Sequence, residues 1–282
     1  MAGENVTSTG HDLSAARWLD KHFESARPEY EAALRHVGVK RGEAVLDAGC
    51  GSGGFLPILC ELVGQGGSVG ALDLAPENVA VVESNIRAGV LPANVQPRVG
   101  DVLAPPFGNG VFDRVWCANV AQYLTVSEFA RMIAEFQRVA KPGGFITIKE
   151  FDSALMQLHP LANDCLTRLY AQRRKRAASD LIGPWGGTSI PSLLRNAGLT
   201  EVTAKGWLVE RWAPAPDATR ALLESFLSRC AGLASQYDAL APDVVIWNEV
   251  ATNPGRILDA ADFCCREFFV VATGRVPEAM DT

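Results

Sequence analysis

Strand-like and helix-like segments alternate along residues 43–150, and this alternation constrains the possible fold more than any other feature of the chain. Apolar runs with strand character cover residues 44–48, 68–73, 95–100, 112–118 and 145–149. Helical segments separate them, the clearest of which has apolar residues at 129, 132, 133, 136 and 139. Strands and helices in this order predict repeated strand–helix–strand units and a parallel sheet.

The pattern changes after Glu150. Helices are predicted over 153–180, 190–197, 216–239 and 241–261, with strands over 199–211 and 263–274. Two further helices are predicted before the sheet, within residues 1–38. We therefore expect N-terminal helices (1–38), a ligand-binding core (39–150), a helical insertion (151–198) and closing strands with a second helical insertion (199–282), with residues 39–282 forming one composite domain.

Composition and charge argue against several kinds of partner. The net charge of the 282 residues is −6, whereas a nucleic-acid partner normally requires a basic face. No apolar run approaches the roughly 20 residues that span a bilayer. The first residues lack the basic head and apolar block of a secretory signal. We therefore expect a cytoplasmic protein that binds neither nucleic acid nor membrane.

The seven cysteines and four histidines form no recognisable metal-binding pattern. The cysteine count is odd, no C-x-x-C pair occurs, and most of the cysteines lie in apolar runs. This distribution favours reduced, buried thiols over disulfides or zinc ligands. No metal is expected.

The first strand runs into a glycine-rich segment, Asp47-Ala48-Gly49-Cys50-Gly51-Ser52-Gly53-Gly54. Glycines allow the backbone to turn sharply and to approach a ligand without an intervening Cβ. In open parallel sheets, ligands bind at the edge where the carboxyl ends of the strands meet. The segment therefore predicts a ligand-binding loop at that edge.

Two classes of ligand fit this loop, because its glycines also satisfy the G-x-G-x-x-G pattern of dinucleotide-binding proteins. Asp47, two residues before the first glycine, suits a cationic ligand and would repel a pyrophosphate. Asp73 ends the second strand and can accept ribose hydroxyls in either class of ligand. Asp101 follows the third strand, where its carboxylate can accept from an adenine amine, a contact that nicotinamide-binding folds do not routinely need. These acids favour S-adenosylmethionine (SAM) over a nicotinamide dinucleotide.

With these motifs in their order and spacing, the chain resembles the class I SAM-dependent methyltransferases. The resemblance is strong over residues 40–150 and looser over the closing strands. It lies in residues 45–53, 72–74, 100–102 with 106–107, 112–119 and 141–144. The resemblance implies an α/β fold with a Rossmann-like sheet of seven strands, of which the last is antiparallel, together with helical lid insertions. It also implies SAM as the cofactor.

The resemblance assigns roles to individual residues. Asp73 would hold the ribose hydroxyls, and Leu74 would pack on the adenine. Asp101 would meet the adenine amine, with the Val102 amide at the ring nitrogen. Carbonyl groups near Gly49 and Asn119 would hold the methionine ammonium. The expected cofactor-binding residues are Asp47, Gly49, Cys50, Gly51, Asp73, Leu74, Asp101, Val102 and Asn119.

The function that follows is methyl transfer by in-line displacement to a small organic acceptor, in natural-product biosynthesis. The methylated atom is expected to be an apolar isoprenoid or polyketide carbon or a phenol oxygen. The alternatives are N-methylation, SAM binding without transfer and, more remotely, nicotinamide-dependent oxidoreduction. An acceptor that loses a proton requires a base, and the candidates are His22, Tyr123, Glu150 and His159, of which Tyr123 and His159 are the expected catalytic residues. The N-terminal helices could also exchange between subunits of a homo-oligomer.

Overall fold

The computed structural model describes residues 16–278, apart from the side chains of residues 16–19 and 163. In chain order the elements are α1 (Ala16–His36), β1 (Ala44–Ala48), α2 (Leu56–Val63), β2 (Ser68–Asp73), α3 (Pro76–Arg87), β3 (Val95–Val99), β4 (Phe112–Ala118), α4 (Val126–Val139), β5 (Ala140–Phe151), β6 (Gln157–His159), α5 (Asn163–Arg176), α6 (Ile190–Asn196), β7 (Thr200–Trp212), α7 (Asp217–Ala234), α8 (Ala241–Thr252), α9 (Gly255–Leu258) and β8 (Cys264–Arg275).

The described strands form one eight-stranded sheet, in which β3, β2, β1, β4, β5 and β8 are neighbours in that order. Pairing is parallel from β3 to β5, and β8 runs antiparallel to its partners. β7 pairs with β8 along its whole length and forms the outer edge. The predicted Rossmann-like sheet with an antiparallel last strand is therefore confirmed.

The sheet has one strand more than expected, because β6 occupies part of the segment predicted to be helical, residues 153–180. The three residues of β6 pair with Cys264 to Arg266 of β8. They lie on the same side of β8 as β5, which pairs with residues 269–275 of that strand. Pairing with β8 satisfies the backbone groups of this segment, and the helix α5 begins only at Asn163. Within residues 1–38 the structure describes a single helix, α1, and the first fifteen residues lie outside the described part of the chain.

Alternate residues of the strands pack into apolar clusters on opposite faces of the sheet. Val45 and Trp116 belong to the cluster that contains side chains of α1, α2 and α3. Leu46 and Val115 belong to the cluster that contains side chains of α4 and α6. Helices therefore cover both faces, which leaves the carboxyl edge of the strands for loops and ligands.

A third apolar cluster joins α5, α7, α8 and α9 to β6 and to the first residues of β8. Because β6 continues beyond the carboxyl end of β5, this cluster lies past the end of the sheet where ligands are expected. The helix α1 connects it to the sheet, since Ser25 and Thr219 of α7 approach to 3.1 Å between their hydroxyl oxygens. None of the helices between residues 16 and 278 has the length and apolar character needed to cross a bilayer.

Candidate functional site

The glycine loop, residues 49–54, turns directly from the end of β1 towards α2. The φ angles of Gly49, Gly51 and Gly53 are 80°, 54° and 96°, a region that residues with a Cβ rarely adopt. The N–H groups of Gly49 and Cys50 both donate to the Leu72 carbonyl of β2, at 2.7 and 2.9 Å. A Cβ at Gly49 would lie 2.3 Å from Cγ2 of Val120, so only glycine allows this loop to touch the loop after β4.

Asp73 ties the end of β2 to the glycine loop. Its buried Oδ2 accepts the Gly51 N–H at 2.7 Å, and Oδ1 accepts the Ala75 N–H at 2.9 Å and the Asn78 side-chain amide at 3.1 Å. An ionised carboxylate has about four acceptor positions, so these three bonds leave room for a ligand hydroxyl. The adjacent Leu74 side chain is 39% exposed, and it offers an apolar surface beside that position.

Asp47 is fully buried, and neither of its carboxylate oxygens has a hydrogen-bond partner. Burial, with a further contribution from the charge of Asp73, raises the pKa of Asp47 to about 8. A buried polar group without a partner is costly, and a bound cation would satisfy these oxygens. The unpartnered acid beside a glycine loop therefore fits the ammonium of a SAM molecule, which favours the ionised carboxylate, whereas a pyrophosphate would offer it no positive partner.

Asp101 and Val102 follow β3 at the same edge of the sheet. The preceding residue, Gly100, donates its N–H to the Asp73 carbonyl at 2.9 Å, which holds this turn against the end of β2. Oδ1 of Asp101 accepts the Leu103 N–H at 2.9 Å, while the Asp101 side chain remains half-buried. The structure thus places at one edge the acids that the sequence puts at the ends of β1 and β2 and after β3.

The β4–α4 loop, residues 119–125, completes this edge. Asn119 has a left-handed backbone with φ of 61°, and its N–H donates to the Lys149 carbonyl at 2.9 Å. The carbonyl of Asn119, expected to face a ligand, accepts the Gln122 side-chain amide at 3.2 Å. Tyr123 is half-buried in a short turn. Its N–H donates at 3.0 Å to the carbonyl of Val120, the residue after Asn119.

Of a buried polar group between α1, β5 and β8, sequence reasoning identified His22 alone and missed the rest. Its centre is Lys149, whose side-chain amine donates to Oδ1 of Asn119 at 2.6 Å and to the Tyr30 hydroxyl at 3.1 Å. Burial lowers the pKa of Lys149 to about 8, against the opposing influence of Glu150 and Glu267. A lysine inside an apolar strand, Phe145-Ile146-Thr147-Ile148-Lys149, was the only local sign of this group.

His22 and Glu267 lie at the far end of the same group. Nε2 of His22 is 3.4 Å from the Tyr30 hydroxyl and 3.4 Å from Oε2 of Glu267. Burial would raise the pKa of Glu267, but His22, Lys149 and Arg211 outweigh that effect and lower it. Burial also raises the pKa of the Tyr30 hydroxyl, with the charges of Glu267 and Glu150 acting in the same direction.

Glu150 and His159, two candidate bases from the sequence, have other surroundings. The Glu150 carboxylate accepts the backbone N–H groups of Gln122 and Phe151 at 3.0 and 2.9 Å, and burial raises its pKa to about 7. His159 is half exposed on β6 and pairs with Asp262 at 2.9 Å. In the sheet, His159 lies opposite Cys264 of β8, whereas Lys149 lies opposite Val271 of the same strand. At roughly 3.3 Å per residue, seven positions along β8 separate the two by about 23 Å, so the structure does not bring His159 to the glycine loop.

The sequence is similar to that of known methyltransferases. Residues 45–144 match a family model described as a methyltransferase domain. A demethylmenaquinone methyltransferase of Shouchella clausii (strain KSM-K16) is 27% identical over 186 residues, which cover 62% of this chain and 77% of that protein. A chloroplastic 2-phytyl-1,4-beta-naphthoquinone methyltransferase of Arabidopsis thaliana is 33% identical over 124 residues, 43% of this chain and 47% of that protein.

The fold also recurs among solved structures. A SAM-dependent methyltransferase from Aquifex aeolicus aligns with a TM-score of 0.50 at 18% sequence identity, covering 92% of this chain and 99% of that chain. At this level of identity the alignment bears on the fold alone. It extends beyond the sheet core into the helical segments that follow β5.

Proposed function

We propose that this chain, which belongs to the class I SAM-dependent methyltransferases, transfers a methyl group to a ring carbon of a reduced, quinone-type aromatic acceptor with an apolar side chain. The observation that carries the proposal is the similarity to demethylmenaquinone methyltransferases, which spans 186 residues and therefore extends beyond the family-model segment 45–144. The naphthoquinone methyltransferase of Arabidopsis adds a second relative with the same class of acceptor in its name.

The described residues supply a place for each part of the cofactor. Asp73 would accept the ribose hydroxyls, with the adenine against Leu74 and its amine directed to Asp101. The unpartnered oxygens of Asp47 would meet the methionine ammonium, directly or through water. When bound, SAM supplies a methyl carbon made electrophilic by its sulfonium. The chain's own task is to hold the acceptor carbon in line with that methyl group, and positioning of this kind contributes about 7–11 kcal/mol to lowering a barrier.

A reduced quinone becomes nucleophilic at a ring carbon when one of its hydroxyl groups loses a proton. The overall reaction breaks a carbon–sulfur bond, forms a carbon–carbon bond and releases the proton of the methylated ring carbon. A basic group near the acceptor therefore assists the reaction. We place Tyr123 at the acceptor, because it follows Asn119 and Val120 in the β4–α4 loop, and Val120 reaches the glycine loop. His159 has no part in this proposal, because its pairing position on β8 lies about 23 Å from that of Lys149, which bonds to Asn119 of the β4–α4 loop.

The third cluster lies past the carboxyl end of β5, on the side where we place the apolar side chain of such an acceptor. This cluster draws α5 from one predicted insertion and α7 and α8 from the other. The two insertions therefore form one apolar body beside the site.

Several expectations from the sequence remain predictions: a role in natural-product biosynthesis, a cytoplasmic location, a lack of nucleic-acid and membrane partners, and a homo-oligomeric state.

The test uses the full chain, SAM with a deuterated methyl group, and a chemically reduced 1,4-naphthoquinone that carries a short prenyl chain at one ring position. Mass spectrometry should show one labelled methyl group in the product, and NMR should place it on the adjacent ring carbon. The variant Asp73→Ala should give no product, and the matched control Glu83→Gln, an exposed acid on α3, should behave like the wild type.

Three outcomes would overturn the proposal. A methyl ether would assign the chain to O-methylation, and transfer to an amine acceptor but not to the naphthoquinol would assign it to N-methylation. SAM binding without transfer to a panel of phenols, quinols and amines would assign it to binding alone. Calorimetric SAM titration in the same samples separates a failure of the acceptor from a failure of cofactor binding.

A further inference from the structure

Lys149 contacts three separate elements from a buried position at the carboxyl end of β5. Its side chain is 1% exposed. The amine bonds to Asn119 in the β4–α4 loop and to Tyr30 on α1, and it lies 4.2 Å and 4.7 Å from the ring centres of Tyr30 and Phe269. A buried ammonium carries a large desolvation cost, which these contacts only partly offset, so a methionine at this position would be the simpler packing solution.

Asn119, the residue that Lys149 holds, has an unusual backbone. Among residues 16–278, only Asn119 and Glu201 combine a side chain with a positive φ angle. Asparagine tolerates this conformation better than most residues, yet it remains a strained state that surrounding contacts must maintain. Lys149 bonds to Asn119 twice, accepting its N–H at the backbone carbonyl and donating to its side-chain oxygen.

The direction of the chain after Asn119 determines where the next residues lie. Val120 follows at once, and its Cγ2 occupies the space that a Cβ on Gly49 would need. Tyr123 lies three residues further, in the turn that we place at the acceptor. A change in the backbone of Asn119 would therefore move both the contact with the glycine loop and the side chain of Tyr123.

Charged and titratable groups surround Lys149 on the other side. Tyr30 faces it from α1, Glu150 lies next to it on β5, and Glu267 acts on it from β8. His22 of α1 lies 3.4 Å from both the Tyr30 hydroxyl and the Glu267 carboxylate. Arg211 of β7 contributes to the same environment, while being bound to Glu29 of α1 at 2.6 and 2.7 Å. These groups connect Lys149 to α1 and to β8, in addition to its bond with Asn119.

We propose that Lys149 is a positioning residue, which holds Asn119 in its left-handed conformation and thereby sets the β4–α4 loop against the glycine loop for cofactor binding. The proposal rests on the proposed function only in taking SAM and its product as the ligands. It does not depend on the identity of the acceptor.

The test measures the affinity of S-adenosylhomocysteine by calorimetry for Lys149→Met, Asn119→Gly and the double variant. This ligand has no positive sulfur, so repulsion between the Lys149 charge and a sulfonium does not enter the comparison, and any effect of Lys149 on the ligand's ammonium is present in both the wild-type and the Asn119→Gly backgrounds. Lys149→Met should weaken binding about tenfold, the order of cost for losing support of a strained residue. Glycine adopts the left-handed conformation without strain, so in the Asn119→Gly background the same change should cost less than about threefold.

Two results would overturn the proposal. One is unchanged affinity in Lys149→Met, and the other is an equal loss from Lys149→Met in both backgrounds, which a general effect on the fold would produce. Thermal melts establish that each variant is folded. If Lys149→Met does not fold, Asn119→Ala is compared with Asn119→Gly, and the proposal requires weaker binding in the alanine variant, with equal affinities counting against it.

The assay requires no acceptor, so its outcome is separate from that of the naphthoquinol experiment. A chain that binds S-adenosylhomocysteine with the expected coupling but does not methylate the quinol keeps this inference and loses the proposed acceptor. A chain that methylates the quinol but shows no coupling between Lys149 and Asn119 loses this inference alone.

Discussion

The Asp73 carboxylate at the end of β2 accepts the backbone N–H of Gly51 at 2.7 Å, and this bond joins the ends of the first two strands across the glycine loop. The same carboxylate holds the start of α3 through the N–H of Ala75, which precedes the helix, and the side-chain amide of Asn78 in its first turn. One side chain therefore shapes the loop and keeps an acceptor position for a ligand hydroxyl.

Replacing Asp73 with alanine should abolish measurable SAM binding or weaken it at least tenfold. The variant loses bonds to a charged acceptor, each worth about 1.5–3 kcal/mol, and frees the Gly51 amide. Calorimetry measures the affinity, and a thermal melt measures the accompanying loss of stability. Asp73→Asn, which retains one oxygen acceptor, should lie between alanine and wild type, and wild-type affinity in Asp73→Ala would remove Asp73 from the cofactor site.

The affinity for SAM should rise with pH from about 5.5 to about 7.5. Burial raises the pKa of Asp47 to about 8, so the free protein holds this carboxyl largely neutral in that range. The bound ammonium favours the ionised form, so binding must release a proton, and affinity gains up to about tenfold per pH unit below that pKa. Calorimetry in buffers with different ionisation enthalpies should detect up to one proton released at pH 7.

The variant Asp47→Asn provides the control, because it cannot ionise. It should bind SAM more weakly, and its affinity should no longer depend on pH in this range. Since the pKa of Asp47 is raised on folding, its contribution to stability is fully present below pH 3.8 and is lost as the pH rises through about 8. The ligand-free variant should therefore be more stable than the wild type at pH 8–9, and lower stability there would contradict the assignment.

Gly49→Ala should disrupt the site more than an alanine at another glycine of similar backbone. The added Cβ at Gly49 meets Cγ2 of Val120 at 2.3 Å, whereas Gly38 has φ of 76° and no neighbour within 4 Å of an added Cβ. Gly38→Ala should therefore cost only the backbone penalty of about 1–2 kcal/mol in unfolding free energy. Denaturant unfolding and SAM calorimetry compare the two variants.

A second change distinguishes the contact from the backbone effect. In Gly49→Ala combined with Val120→Ala, the clash is relieved, so part of the lost SAM affinity should return. If the double variant binds no better than Gly49→Ala alone, the contact with Val120 is not the cause.

Tyr123→Phe should lower turnover of the naphthoquinol about a hundredfold if its hydroxyl takes part in removing the acceptor proton, since such groups contribute at least that much. The affinity for SAM should stay within about twofold, because the ring remains in place. His159→Gln should keep full turnover, since this exposed residue pairs with Asp262, which precedes β8, far from the β4–α4 loop along the sheet. A pH–rate profile checks both variants, and a loss in His159→Gln with none in Tyr123→Phe would restore His159 as the base.

The sequence predicted the core strands closely because their signals are local. The bounds of β1, β2 and β4 match the predicted 44–48, 68–73 and 112–118, where apolar runs are bounded by turn residues. The prediction of a helix over residues 153–180 was wrong in part, because β6 forms by pairing with β8, about a hundred residues away. Local periodicity contains no information about such a partner.

The contrast between local signals and long-range contacts also explains which parts of the site were predicted. The sequence by itself determined the glycine loop and the acids at 47, 73 and 101, because each lies at or just after the end of a strand and the carboxyl ends of parallel strands meet at one edge. Only the tertiary structure decided that Lys149 meets Tyr30, 119 residues away in the chain, and that His159 lies far from the loops. Contacts of that kind depend on how α1, β5 and β8 pack together, and burial then determines which of their groups remain charged.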